Sequence, residues 1–74
     1  MQNNDGSIMK NTIKVERAKL NITQSDLADA VGVSKQTIHS IEKARFTPST
    51  ILSMKIARYF KVAVEDIFEL EDED

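Results

Sequence analysis

Six polar side chains fall close together near the middle of the chain: Lys35, Gln36, Thr37, His39, Ser40 and Lys43. Ile38 and Ile41 sit between them at a spacing of three, so a helix there turns its isoleucines inward and its polar groups outward. Such a face offers hydrogen-bond donors and acceptors but no catalytic pair. His39 is the only histidine and the chain has no cysteine. A histidine dyad, a thiolate nucleophile and a cysteine-based zinc site are therefore excluded, and no glycine-rich phosphate loop is present. The expectation is a protein that is not an enzyme and carries neither metal nor cofactor. A short helix with a polar first turn suits the major groove of B-DNA, where base edges present donors and acceptors in a sequence-specific pattern.

The flanking residues must hold that helix in place. Ser34 reads as its N-cap, and residues 35–43 as its span. Upstream, Thr23-Gln24-Ser25-Asp26 reads as a variant capping box opening a helix with Leu27, Ala28, Ala30 and Val31 on one stripe. Gly32 ends that helix, because a left-handed residue is cheapest as glycine. Ala28 is expected at the crossing of the two helices, with Leu27, Val31, Val33, Ile38 and Ile41 fixing the angle from inside. Residues 11–20 suggest a first, imperfect amphipathic helix carrying Ile13, Val15, Ala18 and Leu20, capped by Asn11 or Thr12. Ile51, Leu52, Met54, Ile56, Ala57, Tyr59 and Phe60 predict a fourth helix, the most buried one, capped by Thr47 or Ser49 around Pro48. A short fifth helix is expected over residues 64–68, with Glu65 and Asp66 favouring its first turn.

A chain of 74 residues holds one small domain. Residues 1–8 read as a leader or tag, 9–70 as the domain and 71–74 as an acidic tail. The net charge of −2 conceals a division. Ten basic and four acidic residues fall in 9–62, while 63–74 holds seven acids and no base. A basic body is the electrostatic footprint of a polyanion binder. No apolar run approaches the roughly 20 residues that span a bilayer, and residues 1–10 lack a signal-peptide core. The expected location is the cytoplasm, in association with the nucleoid, with no membrane partner.

Residues 24–43, with their small, apolar and glycine positions at fixed spacing, strongly resemble the helix-turn-helix of Xre/Cro-type, phage-repressor-like regulators. The resemblance extends over about residues 9–70 and includes Ile41-Glu42-Lys43, Thr47-Pro48-Ser49, Lys55-Ile56-Ala57 and Asp66-Ile67-Phe68. Ala44 departs from it, since many relatives place glycine or asparagine there. The resemblance implies an all-α fold, a five-helix repressor-like DNA-binding domain, and allows a short two-stranded pairing of the N- and C-terminal segments. It implies base-edge contacts for Lys35, Gln36 and Ser40: Lys35 to guanine O6/N7, Gln36 to adenine N6/N7. Thr37 would touch a thymine methyl or a phosphate, and His39 the rim. Gln24 and Ser34 match positions that hold phosphates at helix N-termini, and Lys43 and Arg45 lie along the sugar–phosphate backbone.

The function that follows is sequence-specific double-stranded DNA binding by a transcriptional regulator, a repressor acting as a homodimer on a palindromic operator. A chain this small gains stability from a partner, and dimers of this kind read half-sites ~34 Å apart. By the resemblance the dimer forms near the chain end, at Ile67, Phe68 and Leu70 with Tyr59 or Phe60. The alternative is an antitoxin-like or adaptor module that holds a protein partner with the same fold. Such a module would expose apolar anchors on its working helix, whereas residues 35–43 are polar outside.

Overall fold

In the computed structural model, which describes residues 9–70, the elements run in the order β1 (Met9–Asn11), α1 (Ile13–Leu20), α2 (Gln24–Val31), α3 (Lys35–Glu42), α4 (Thr50–Phe60), α5 (Val64–Ile67) and β2 (Phe68–Leu70). Among the described residues the fold is helical, with five helices and one small sheet. Residues 1–8 and 71–74, the expected leader and acidic tail, lie outside the described residues. β1 and β2 pair antiparallel, with Met9 opposite Leu70, Lys10 opposite Glu69 and Asn11 opposite Phe68. The Thr12 N–H continues the tie by donating to the Ile67 carbonyl at 3.0 Å.

The helix starts follow the capping residues. Thr23 Oγ1 accepts from the Asp26 N–H at 3.0 Å, and Asp26 Oδ2 accepts from the Thr23 N–H at 2.9 Å, which completes a capping box. Ser34 caps α3 through the Thr37 N–H, and Ser49 rather than Thr47 caps α4 through the Leu52 N–H, each at 3.1 Å. α1 is opened by Asn11, whose Oδ1 accepts from the Ile13 N–H at 3.2 Å; Thr12 supplies no side-chain bond. At α5 only half a box forms: Asp66 reaches the Ala63 N–H, and an alanine has nothing to return.

The helix ends share one device. α1 to α4 are each closed by a residue in the left-handed region: Asn21 (φ 57°), Gly32 (φ 80°), Ala44 (φ 60°) and Lys61 (φ 61°). After each, the chain folds back onto the last turn, through Ile22 N–H to Arg17 O, Val33 N–H to Ala28 O, Arg45 N–H to Ser40 O and Val62 N–H to Ala57 O, at 2.9–3.1 Å. Only Gly32 lacks a Cβ, and nothing lies within 4 Å of where one would be, so glycine is favoured there by φ and not by space. The departure at Ala44 is thus a left-handed alanine. That conformation costs an L-residue about 1–2 kcal/mol, partly offset in a glycine by its freer unfolded state. Ala44→Gly is therefore expected to stabilise the domain by about 0.5–1 kcal/mol, raising Tm by a few degrees in thermal denaturation followed by circular dichroism. An unchanged or lower Tm would contradict this.

The core is built from Ile13, Leu27, Ala28, Val31, Ile38, Ile41, Ile56, Ala57, Phe60, Ile67 and Phe68. α2 packs on both α3 and α4, and α5 on α4. Val33, alone in the turn, is half-buried against this core. Three sequence expectations need correction. On α1 only Ile13 is buried, and Val15 and Leu20 face solvent. On α2, Ala30 is exposed, off the stripe that Leu27, Ala28 and Val31 share. On α4 the buried stripe is Ser53, Ile56, Ala57 and Phe60, while Ile51 and Met54 are 69% and 57% exposed. Apolar residues stand on more than one side of this helix, so its sequence did not single out the buried face.

Candidate nucleic-acid interface

α2, the turn at Gly32 to Ser34, and α3 form a helix-turn-helix. Ile38 and Ile41 are fully buried under α3, which fixes the helix against α2 and leaves its other side open. Lys35 and Gln36 are exposed at its N-terminal end, and Lys43 and Arg45 are exposed where the chain leaves it. Ser34, also exposed, is occupied at the cap: besides the Thr37 N–H, its Oγ lies 2.9 Å from Thr37 Oγ1. Thr37 is consequently held against the helix start and half-buried, as are His39 and Ser40.

Gln24 has a partner that its position in the sequence did not announce. Its Nε2 donates to Glu42 Oε1 at 3.0 Å and lies 3.4 Å from His39 Nδ1. Glu42 in turn takes both arms of Arg17, Nε to Oε2 at 2.7 Å and Nη2 to Oε1 at 3.2 Å. Arg17 Nη1 also donates to the Ile22 carbonyl at 3.1 Å. Asn11 Nδ2 reaches the Ile41 carbonyl at 2.8 Å. The end of α3 is thus fastened to β1, α1 and the start of α2 by polar bonds between residues 18 to 30 positions apart.

Burial alone would raise the Glu42 carboxyl. The hydrogen bonds from Arg17 and Gln24, with the positive charges of Arg17 and Lys14, more than offset this and hold it below its ordinary value. Glu42 is therefore charged when the domain is folded at neutral pH, and the fork from Arg17 is a charge-assisted, two-bond contact. Sequence reasoning missed Glu42, Arg17 and Asn11 as parts of this arrangement. It also missed Phe46, which lines a shallow cleft with Gln36, Thr37, Ser40 and Arg45.

The four residues expected at a dimer interface divide. Ile67 and Phe68 are 2% and 6% exposed within the single chain, as core residues, so they offer little surface to a partner. Phe60, their expected helper, is buried as well. Leu70 and Tyr59 reach solvent, Leu70 the more exposed of the two.

The chain matches the model of a helix-turn-helix family over residues 13–67. It is 53% identical over 66 residues to a helix-turn-helix-type transcriptional regulator of Methanocaldococcus jannaschii, covering 89% of this chain and all of the relative. A Bacillus subtilis protein of the same description, YgzD, is 42% identical over 66 residues with the same coverage. A type II methyltransferase of Lactococcus lactis subsp. cremoris shares 40% identity over 63 residues, which is 81% of this chain but only 16% of that enzyme. Among solved structures, a Bacteroides fragilis protein assigned to DNA binding superposes with a TM-score of 0.74 at 29% identity, over 84% of this chain and 100% of its own. The capped helix pair, the glycine turn and these matches agree: the chain belongs to the helix-turn-helix family of Xre-type, DNA-binding transcriptional regulators.

Proposed function

We propose that this regulator is a repressor that binds a two-fold-symmetric operator as a homodimer, with α3 in the major groove of each half-site. The observation that carries this is the division of α3: Ile38 and Ile41 are sealed in the core while Lys35 and Gln36 stand free at the end that enters a groove first. Lys35 to guanine, Gln36 to adenine and Ser40 supply base readout; Thr37 and His39 border it. Lys43 and Arg45 neutralise phosphates, and Ser34 and Gln24, at the N-terminal ends of α3 and α2, approach the backbone. Gln24 does so already oriented by Glu42. Leu70 and Tyr59 are the members of the expected dimer surface that remain open to a second copy. Occupancy of promoter DNA would exclude polymerase, and no catalytic step is needed. The site of action would be the cytoplasmic nucleoid; no helix among the described residues is long and apolar enough to cross a membrane.

The test is selection of bound sequences from random duplex DNA, with the stoichiometry of the selected complex measured by sedimentation. Enrichment of a two-fold-symmetric site bound by two chains is expected. An asymmetric site bound by one chain would contradict the dimer. One observation favours a second reading, that of an adaptor. Ile51 and Met54 form an apolar ridge on α4, with the exposed Lys55 and Arg58 beside it. If no sequence is enriched at any salt concentration, that ridge becomes the working surface.

A further inference from the structure

Phe46 is out of place for an ordinary loop residue. It is a large apolar ring, half exposed, in a short connection whose other exposed members include Lys43, Arg45 and Thr47. It cannot retreat into the core. On one side the chain is pinned to α3 through the left-handed Ala44, by Ala44 N–H to Ile41 O and Arg45 N–H to Ser40 O, both at 2.9 Å. On the other side Pro48 is buried and Ser49 caps α4. The loop therefore carries the ring alongside α3, where Phe46 shares one shallow cleft with Gln36, Thr37, Ser40 and Arg45. Gln36 and Ser40 are two of the three residues that would read base edges, so the ring borders the reading surface itself. Thr37, whose hydroxyl is engaged by Ser34, also lines this cleft.

We propose that Phe46 is a specificity-determining residue, and that the cleft between it and α3 takes the C5-methyl group of a thymine in the major groove. This rests on the operator reading above and deepens it. The thymine methyl is the one apolar feature of the major-groove edges, and aromatic or threonine methyl contacts are what recognise it. A ring that only packed on deoxyribose would strengthen binding to every sequence alike.

The experiment uses the full chain and the duplex obtained by selection, with deoxyuridine replacing thymine at one position at a time. This removes the methyl and keeps the base pair. At one thymine per half-site the wild-type chain is expected to lose about fourfold in affinity, the value of one buried carbon. Phe46→Ala is expected to bind thymine and uracil duplexes equally at that position, and Phe46→Leu to recover part of the preference. Circular dichroism on both variants checks that the domain is folded. A uracil penalty that persists in Phe46→Ala would assign the methyl to another residue, Thr37 first, and overturn the proposal. A wild-type chain indifferent to every substitution would overturn it equally. Both outcomes leave the operator reading intact, whereas failure to select any sequence would remove that reading and this one together.

Discussion

Ile38→Asp is expected to leave the chain unfolded at 25 °C, while Ala30→Asp folds normally. Ile38 is completely buried on the inner side of α3. Its replacement removes about 2–3 kcal/mol of apolar burial and places a carboxylate in a site with no partner, at a further cost of several kcal/mol. A domain of this size commands only ~3–5 kcal/mol, so the sum exceeds what is available. Ala30 lies two residues upstream of the turn and looks equivalent in the sequence, but it is exposed, and an aspartate there meets water. Far-ultraviolet circular dichroism and urea titration of the two variants separate them. A folded Ile38→Asp, or an unfolded Ala30→Asp, would show that the helix pair is packed on different faces.

Glu42→Ala is expected to lower stability by about 2–4 kcal/mol, the range for breaking a largely buried ion pair with allowance for the partly wetted Arg17. The Glu42 and Arg17 side chains are 8% and 15% exposed. Without the carboxylate, the Arg17 guanidinium keeps only the Ile22 carbonyl, and the Gln24 amide loses its shorter partner. The sign of the pH dependence follows from the lowered Glu42 value. Its contribution is fully present above the ordinary carboxylate pKa of about 4.3 and is lost as pH falls through the lowered, folded-state value. Urea unfolding from pH 7 to 3 is therefore expected to show a wide gap between wild type and Glu42→Ala that narrows at the acid end. Glu42→Gln, which keeps an acceptor but no charge, falls between them. A gap independent of pH would mean that the carboxylate is not charged in the folded state. The same change frees Gln24, so DNA affinity should weaken more than loss of one remote residue explains.

The parts of the fold written in local sequence were legible. Thr23, Ser34 and Gly32 announce the two helices and their turn because each cap acts within four residues of itself. The polar face of α3 was legible for the same reason, since Ile38 and Ile41 mark the opposite side. Long-range partners left no such trace. Nothing near Gln24 indicates that its amide is held by Glu42, and nothing near Arg17 indicates that it crosses 25 positions to the same carboxylate. Faces of helices that are apolar on several sides were misread: Ser53 is buried and Ile51 exposed on α4, against the order of their hydrophobicity. Ile67 and Phe68 were apolar and near the end, which fits an interface as well as a core, and only the packing of α5 and β2 decides. Phe46 was passed over because a single aromatic in a loop has no periodicity to read.

The most direct measurement is the affinity of the wild-type chain and of Gln36→Ala for the selected duplex and for a scrambled duplex, by fluorescence anisotropy across a salt series. For the wild type the selected site should bind at least ~10³-fold more tightly than the scrambled one, with affinity falling steeply as salt rises. Gln36→Ala should lose about 1–3 kcal/mol on the selected site and little on the scrambled one, so that the ratio collapses while the salt dependence stays. Equal losses on both duplexes, or an undiminished ratio, would mean that the exposed face of α3 does not read bases.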